Sequence, residues 1–136
     1  MGADVLVNTT REDLSEAVLR ETGGVGPDVI LDTTGDPSLF NDIMLLVRGS
    51  GTIVIPGFYE QELNHVRLDR LIARNCTLIG AATTLHMGTK ILDLLANGHM
   101  RLNTMITDRF SFDDVIEGFD AVTKRNDSRV KVMVDF

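Results

Sequence analysis

Three segments of small and polar residues each follow a short apolar run, the place where a parallel sheet puts its ligand-binding turns. They are Thr33-Thr34-Gly35, Pro56-Gly57-Phe58 and Gly80-Ala81-Ala82. Small side chains at these places let a ligand approach the backbone amides and carbonyls, which can then recognise it. The same residue types also form ordinary tight β-to-α turns, so both interpretations stay open.

Two charged residues could add specific contacts. Asp32 ends an apolar run, where its carboxylate either binds a ligand or caps the following turn. Lys131 lies between valines near the end of the chain, where it is either solvent-exposed or paired with an anionic group such as a phosphate.

Other residues with chemical potential form no recognisable catalytic or metal-binding pattern. The three histidines, His65, His86 and His99, lack the i, i+4 spacing of a helical metal site and are expected at the surface or in caps. Cys76 is the only cysteine, which excludes an internal disulfide and a thiolate zinc site and favours a small buried thiol. The glycines between residues 23 and 26 follow a helix and precede a strand, the reverse of the dinucleotide-binding order.

Short apolar runs, typical of strands, alternate along the chain with segments whose apolar residues repeat at helical spacing. This alternation predicts an α/β fold with a parallel sheet. Strands are predicted at residues 5–7, 28–32, 52–55, 77–79 and 130–134. Helices are predicted after Thr10, from Asp36-Pro37, over 68–73, over 87–96 and from Ser111. The run Val29-Ile30-Leu31 is typical of a strand covered on both faces. The last strand alternates instead and predicts one buried and one solvent-exposed face.

Composition limits the classes of protein that this chain can belong to. With 136 residues, 43% hydrophobic and 24% charged, it fits one globular domain or a piece of one. The net charge of -7 argues against a nucleic-acid partner. No apolar run approaches the roughly 18 residues of a membrane helix, and the first residues lack a signal-peptide pattern, so we expect a cytoplasmic protein.

Several motifs occur in a fixed order along essentially the whole chain. In one-letter code they are GADVLVN at 2–8, TGGVGPDVILD at 22–32, GTIVIPG at 51–57, DRFSF at 108–112, EGF at 117–119 and VKV at 130–132. Their order closely resembles the medium-chain dehydrogenase/reductase family, which includes the zinc-dependent alcohol, polyol and threonine dehydrogenases.

This resemblance implies a Rossmann-like, doubly wound parallel sheet that binds NAD or NADP. Residues 1–108 would be part of the dinucleotide-binding domain, and residues 109–136 a helix and strand that return toward the family's catalytic domain. The three turns named above would line the nicotinamide half of the cofactor, and Lys131 would face its phosphates. The resemblance also implies a homodimer through the sheet edge, formed by a segment from Glu62 to Val66 beside the strand from Thr77 to Ala81.

The resemblance also implies that parts of the family's structure lie outside these 136 residues. The family's catalytic domain, which carries the zinc ligands, and the first two strands of its nucleotide-binding domain, which carry the glycine fingerprint, precede the region seen here. In the strand order 3-2-1-4-5-6 the missing strands lie between those at residues 5–7 and 28–32. We therefore expect residues 5–7 to pair with residues 28–32, to pair with another copy, or to be displaced.

Two functions from different classes remain. The first is the C-terminal cofactor-binding part of an NAD(P)-dependent alcohol or polyol dehydrogenase, inactive on its own because no catalytic or metal-binding residue is assigned to this chain. The second is a non-catalytic module that binds a nucleotide or mediates dimerisation. A methyltransferase-like fold uses a similar sheet, but no glycine-rich cofactor loop opens this chain, and the order of motifs extends through the strand of Lys131.

Overall fold

The structure is a computed structural model that describes residues 2–82, 87–124, 126 and 128–136. The described residues form two compact units. One unit contains residues 4–82, and the other contains residues 2–3 together with the described residues from 87 onward.

The first unit is built on a three-stranded parallel sheet in the order β1-β2-β3, with β1 at Val29–Leu31, β2 at Thr52–Ile55 and β3 at Thr77–Gly80. Ile30 of β1 lies opposite Ile53 of β2, which lies opposite Leu78 of β3. Parallel strands bring all three carboxyl ends to one edge of the sheet. The predicted α/β class with parallel strands is confirmed.

Three helices belong to this unit: α1 at Leu14–Glu21, α2 at Phe40–Leu46 and α3 at Asp69–Arg74. The core lies between α2 and β2, because the apolar stripe of α2 packs against the one fully buried residue of the central strand. Its buried members are Phe40, Ile43, Met44, Val47 and Ile53. This core fixes the position of the chain segments on both sides of α2.

Helices α1 and α2 both begin later than predicted. Helix α1 is capped by Asp13, whose carboxylate accepts a hydrogen bond from the backbone N–H of Glu16 at 2.9 Å, while Thr10 bonds to Asn8 in the preceding turn. Helix α2 begins at Phe40 rather than at Asp36-Pro37. Asp36 instead accepts a hydrogen bond from the backbone N–H of Ser38, which holds residues 36–38 in a turn before the helix.

The expectations for the first two strands need correction. Residues 5–7 form no strand, and Leu6 is 86% exposed, so of the three outcomes expected for this segment the pairing with β1 is absent. A short apolar segment without a neighbouring strand has no ladder to satisfy its backbone groups. Strand β1 is also not covered on both faces: Val29 and Leu31 are exposed, and only Ile30 packs against the core.

The second unit contains helix α4 at Gly88–Ala96, strand β4 at Ile106–Ser111, helix α5 at Val115–Thr123 and strand β5 at Lys131–Asp135. Strands β4 and β5 pair in parallel, with an irregular register between Ile106 and Asp108. The predicted alternation in β5 is confirmed, since Val132 and Val134 are half-buried and the residues beside them are exposed. Strand β4 was not predicted. Its polar residues obscured it, although exposed and half-buried positions alternate along the strand.

Arg129 joins the elements of this second unit. Its guanidinium donates to both carboxylate oxygens of Asp108 on β4, at 3.0 and 3.3 Å, and to the carbonyl of Ala121 on α5. The Arg129 side chain is 21% exposed and that of Asp108 27%. Arg129 and Thr107 hold the pKa of Asp108 below its usual value, because their hydrogen bonds favour the charged carboxylate.

Candidate functional site

The turn after β1 is organised by the carboxylate of Asp32. Asp32 is buried, and one of its oxygens accepts hydrogen bonds from the backbone N–H and the hydroxyl of Thr34, at 2.9 and 2.6 Å. The Thr34 hydroxyl oxygen in turn accepts from the backbone N–H of Asp36 at 3.2 Å. Of the two roles left open for Asp32, the structure shows the cap of the turn.

The second oxygen of Asp32 is bound by a residue that the sequence analysis did not identify. The hydroxyl of Tyr59 donates a hydrogen bond to it from the segment after β2. The ring of Tyr59 also meets Phe40 edge to face, with ring centroids 5.8 Å apart. Tyr59 thus connects the segment after β2 to both the buried end of β1 and the start of α2. Its one sequence signal is that it directly follows Pro56-Gly57-Phe58 and is the only tyrosine in the chain.

Two glycines bring the backbones of the first two turns into direct contact. Gly35 has a φ of +64°, and a Cβ at this position would lie 2.2 Å from the carbonyl oxygen of Phe58. A Cβ on Gly57 would lie 3.2 Å from the backbone of Thr33 and Gly35. At Gly35 only a residue without a side chain allows so close an approach, whereas a Cβ at Gly57 would make a tight contact with its neighbours. Gly35 therefore has a structural requirement beyond that of an ordinary turn glycine.

The protonation of this cluster follows from its burial and hydrogen bonds. Burial acts to raise the pKa of Asp32, but the hydrogen bonds from Thr34, Tyr59 and the backbone outweigh it, so the pKa of Asp32 lies below its usual value. Burial and the bond to Asp32 raise the pKa of the Tyr59 phenol far above its usual value. Around neutral pH the pair is therefore a charged carboxylate and a neutral phenol.

A direct titration tests this assignment. Because the chain has one tyrosine and no tryptophan, the ultraviolet absorbance of phenolate reports Tyr59 alone. We expect Tyr59 of the folded chain to titrate well above the usual value of about 10, and Asp32→Asn to bring its pKa back toward that value. The urea-unfolded chain, in which the bond is lost, is the control and should titrate normally. A normal pKa in the folded wild type would contradict the hydrogen bond.

The pair also has a defined effect on stability. A raised tyrosine pKa contributes stability that is present below about pH 10 and is lost as the pH rises through the folded pKa. The lowered pKa of Asp32 contributes stability that is present above about pH 4 and is lost as the pH falls through the folded value. Both contributions are therefore complete across the neutral range.

The third turn continues directly from the edge strand. The backbone N–H of Ala81 donates to the carbonyl of Ile55 at 2.9 Å, which places Gly80 and Ala81 next to the end of β2. Gly80 has open space where a side chain would lie, and Ala82 is exposed. The structure therefore brings the three predicted turns to one edge of the sheet.

Lys131, the remaining predicted site residue, belongs to the second unit. It lies on the exposed face of β5 and lines a groove of about 430 Å³ together with Lys124 and Arg129. Arg129 is paired with Asp108, so among the described lining residues Lys124 and Lys131 supply the accessible positive charge of this groove.

The residues set aside as non-catalytic behave largely as expected. His65 and His99 are exposed, and His86 lies outside the described residues. Cys76 is a free thiol, half-buried rather than fully buried, and packs at the margin of the core. Over the part of the chain that the structure describes, no group of three His, Cys, Asp or Glu side chains could hold a metal ion. Within the same ranges, none of the helices combines the length and apolarity needed to cross a bilayer.

A parallel sheet with glycine turns at its carboxyl edge is the arrangement of a Rossmann-like domain, and solved structures of dehydrogenases share this fold. A butanediol dehydrogenase from Bacillus subtilis matches with a TM-score of 0.85 at 24% identity, over 97% of this chain and 38% of its own. A short chain alcohol dehydrogenase from Escherichia coli CFT073, solved with NADH, matches with a TM-score of 0.88 at 23% identity, over 99% of this chain and 39% of its own.

Sequence comparison places the chain within a family. Residues 1–97 match the family model described as zinc-binding dehydrogenase, so the chain belongs to the zinc-binding dehydrogenase family. A D-arabitol-phosphate dehydrogenase from Enterococcus avium is 30% identical over 99% of this chain. The chain spans 38% of the length of that relative. The family predicted from the order of motifs is thereby confirmed.

Proposed function

We propose that this chain is the C-terminal cofactor-binding part of an NAD(P)-dependent alcohol or polyol dehydrogenase. The observation that carries the proposal is the contact between Gly35 and Phe58, which joins two turns at the carboxyl edge of a parallel sheet. This edge is where open α/β sheets bind their ligands. The NADH in the E. coli structure and the polyol-phosphate activity named for the E. avium relative support the same assignment.

The residues present fit the nicotinamide half of such a cofactor. Thr33, Phe58, Gly80 and Ala82 are exposed at the sheet edge, whereas Asp32 is turned inward and fully occupied by hydrogen bonds. The exposed surface of the three turns therefore offers uncharged groups, which suit an aromatic ring with a carboxamide. The proposed contact residues are Thr33, Thr34, Gly35, Pro56, Gly57, Phe58, Gly80, Ala81 and Ala82.

The phosphates of the cofactor would be bound by Lys131. A lysine on an exposed strand face can reach an anionic group as a mobile point charge. The neighbouring Lys124 adds to the positive potential of the groove. The proposed cofactor is NAD or NADP.

When bound, the nicotinamide would supply the site that accepts or donates the hydride. The role of this chain is to hold that ring in place through the backbone of its turns and to anchor the phosphates. The family's zinc is assigned to its catalytic domain, and none of the described residues of this chain is assigned a part in it. We therefore expect the 136-residue chain to have no dehydrogenase activity by itself.

The proposal extends to domain organisation, assembly and location. Residues 1–108 are assigned to the dinucleotide-binding domain and residues 109–136 to the returning helix and strand. A homodimer would form through β3, which lies at the edge of its sheet, with Glu62 to Val66 beside it. Exposed edge strands readily pair with a second copy. We expect the protein in the cytoplasm.

Nucleotide titration tests the proposed function. We expect the chain to bind NADH or NADPH saturably, as followed by the nucleotide's fluorescence, and to turn over no alcohol or polyol. Lys131→Gln should weaken binding several-fold through the loss of a phosphate contact. The matched control Lys90→Gln removes an exposed lysine from α4 and should leave binding unchanged.

The alternative function gives a different result in the same experiment. A dimer on size exclusion that binds neither nucleotide would favour an interaction module and contradict the cofactor assignment. Robust metal-dependent turnover by the chain alone would contradict the expectation that it is inactive.

A further inference from the structure

The hydrogen bond between Tyr59 and Asp32 links two turns whose backbones also approach each other closely, at Gly35 and Phe58. Asp32 directly follows β1 and is 5% exposed, and each of its oxygens has a donor. Tyr59 lies one residue beyond Phe58, whose carbonyl faces Gly35. The bond therefore closes a ring of contacts that runs from Asp32 through Gly35 and Phe58 to Tyr59.

The residue that directly follows Tyr59 has a strained backbone conformation. Glu60 has a φ of +53°, in the left-handed region that is unfavourable for a residue other than glycine, asparagine or aspartate. Such strain persists only where surrounding interactions over-determine the conformation. The charge-assisted bond to Asp32 and the contact with Phe40 hold the adjacent Tyr59 side chain, which packs against the core.

We propose that Tyr59 is a positioning residue for the nicotinamide site, which sets the spacing of the first two turns through its bond to Asp32. This inference rests on the proposed function, because it assigns those turns to cofactor binding. The Tyr59 hydroxyl is occupied by Asp32 and does not itself contact the cofactor. Loss of the hydroxyl would let the Pro56-Gly57-Phe58 turn move relative to Thr33-Thr34-Gly35. The cofactor would then have to restore the spacing of the two turns when it binds, which would lower its affinity.

Tyr59→Phe is the most direct variant, because it removes the hydroxyl and keeps the ring that meets Phe40. We expect it to weaken NADH binding by the full chain about tenfold, a size typical of the loss of one charge-assisted hydrogen bond. Asp32→Asn, the conservative change at the other end of the bond, should weaken binding in the same direction. If both act through one bond, the double variant should lose less affinity than the two single losses combined.

A variant destabilised elsewhere separates positioning from simple loss of folded protein. Val47 is fully buried at the C-terminal end of α2, and its side chain lies against Gly51, at the end of β2 away from the turns. Val47→Ala should lower stability and leave the NADH affinity of the folded chain unchanged. The fraction folded is followed by circular dichroism at the temperature of the titration.

The outcomes distinguish this inference from the proposed function. If wild type does not bind NADH or NADPH, the proposed function fails first. If wild type binds and Tyr59→Phe binds equally well, the positioning role is overturned and the proposed function stands. Equal weakening in Tyr59→Phe and Val47→Ala also overturns it, because the effect would then be general instability. Should Tyr59→Phe not fold, Asp32→Asn decides by the same comparison.

Discussion

Gly35→Ala is expected to destabilise the chain by about 3 kcal/mol or more and to abolish detectable binding of NADH. An alanine at a φ of +64° costs about 1 kcal/mol by conformation alone. Its Cβ would also lie 2.2 Å from the carbonyl oxygen of Phe58, and a backbone atom cannot rotate away as a side chain can. The two turns must therefore separate. The variant thus combines a strained backbone at position 35 with the loss of the contact between the two turns.

The matched control is Gly23→Ala. Gly23 has almost the same φ, +61°, but no atom lies within 4 Å of the position that a Cβ would take. It should therefore show the conformational cost of about 1 kcal/mol without the overlap. Urea unfolding measures both variants, and equal losses at the two positions would show that the turns are not in contact.

Phe40→Ala is expected to cost about 3 to 5 kcal/mol, the range for removal of a buried aromatic ring. Phe40 is 3% exposed, belongs to the core between α2 and β2, and also supports the ring of Tyr59. Its removal leaves a cavity at the start of α2 and frees one side of Tyr59. Because the total stability of a domain is commonly about 5 to 15 kcal/mol, such a loss would leave little margin.

Phe58→Ala makes the same chemical change at an exposed position. Phe58 is 86% exposed, so its truncation should change the free energy of unfolding by less than about 0.5 kcal/mol. It should still weaken NADH binding, since Phe58 is proposed to line the nicotinamide site. Thermal or urea unfolding compares the two variants, and a large loss of stability for Phe58→Ala would mean that this ring is buried in solution.

Individual elements show how far local pattern predicts this fold. Strand β2 has the predicted bounds, because a β-branched run between glycine and proline has clear ends and lies at the centre of its sheet. Residues 5–7 have a comparable apolar pattern and form no strand, because a strand also needs a neighbour to pair with. Strand β4 was missed because Thr107, Asp108 and Arg109 make a polar run, and β5, 20 or so residues later, is what pairs it.

The amino-acid sequence was enough to predict the family, the α/β class and the three turns at the carboxyl ends of the strands. These properties follow from the order of motifs and from short-range hydrophobic patterns, which are local in the chain. The tertiary structure alone decided that Asp32 faces inward, that Tyr59 binds it, and that Gly35 meets the backbone of Phe58. Asp32 and Tyr59 are 27 residues apart, and the parallel pairing of β1 with β2 brings the segments that follow these two strands side by side. Local propensity cannot encode such contacts, because they depend on where the core places two separate segments.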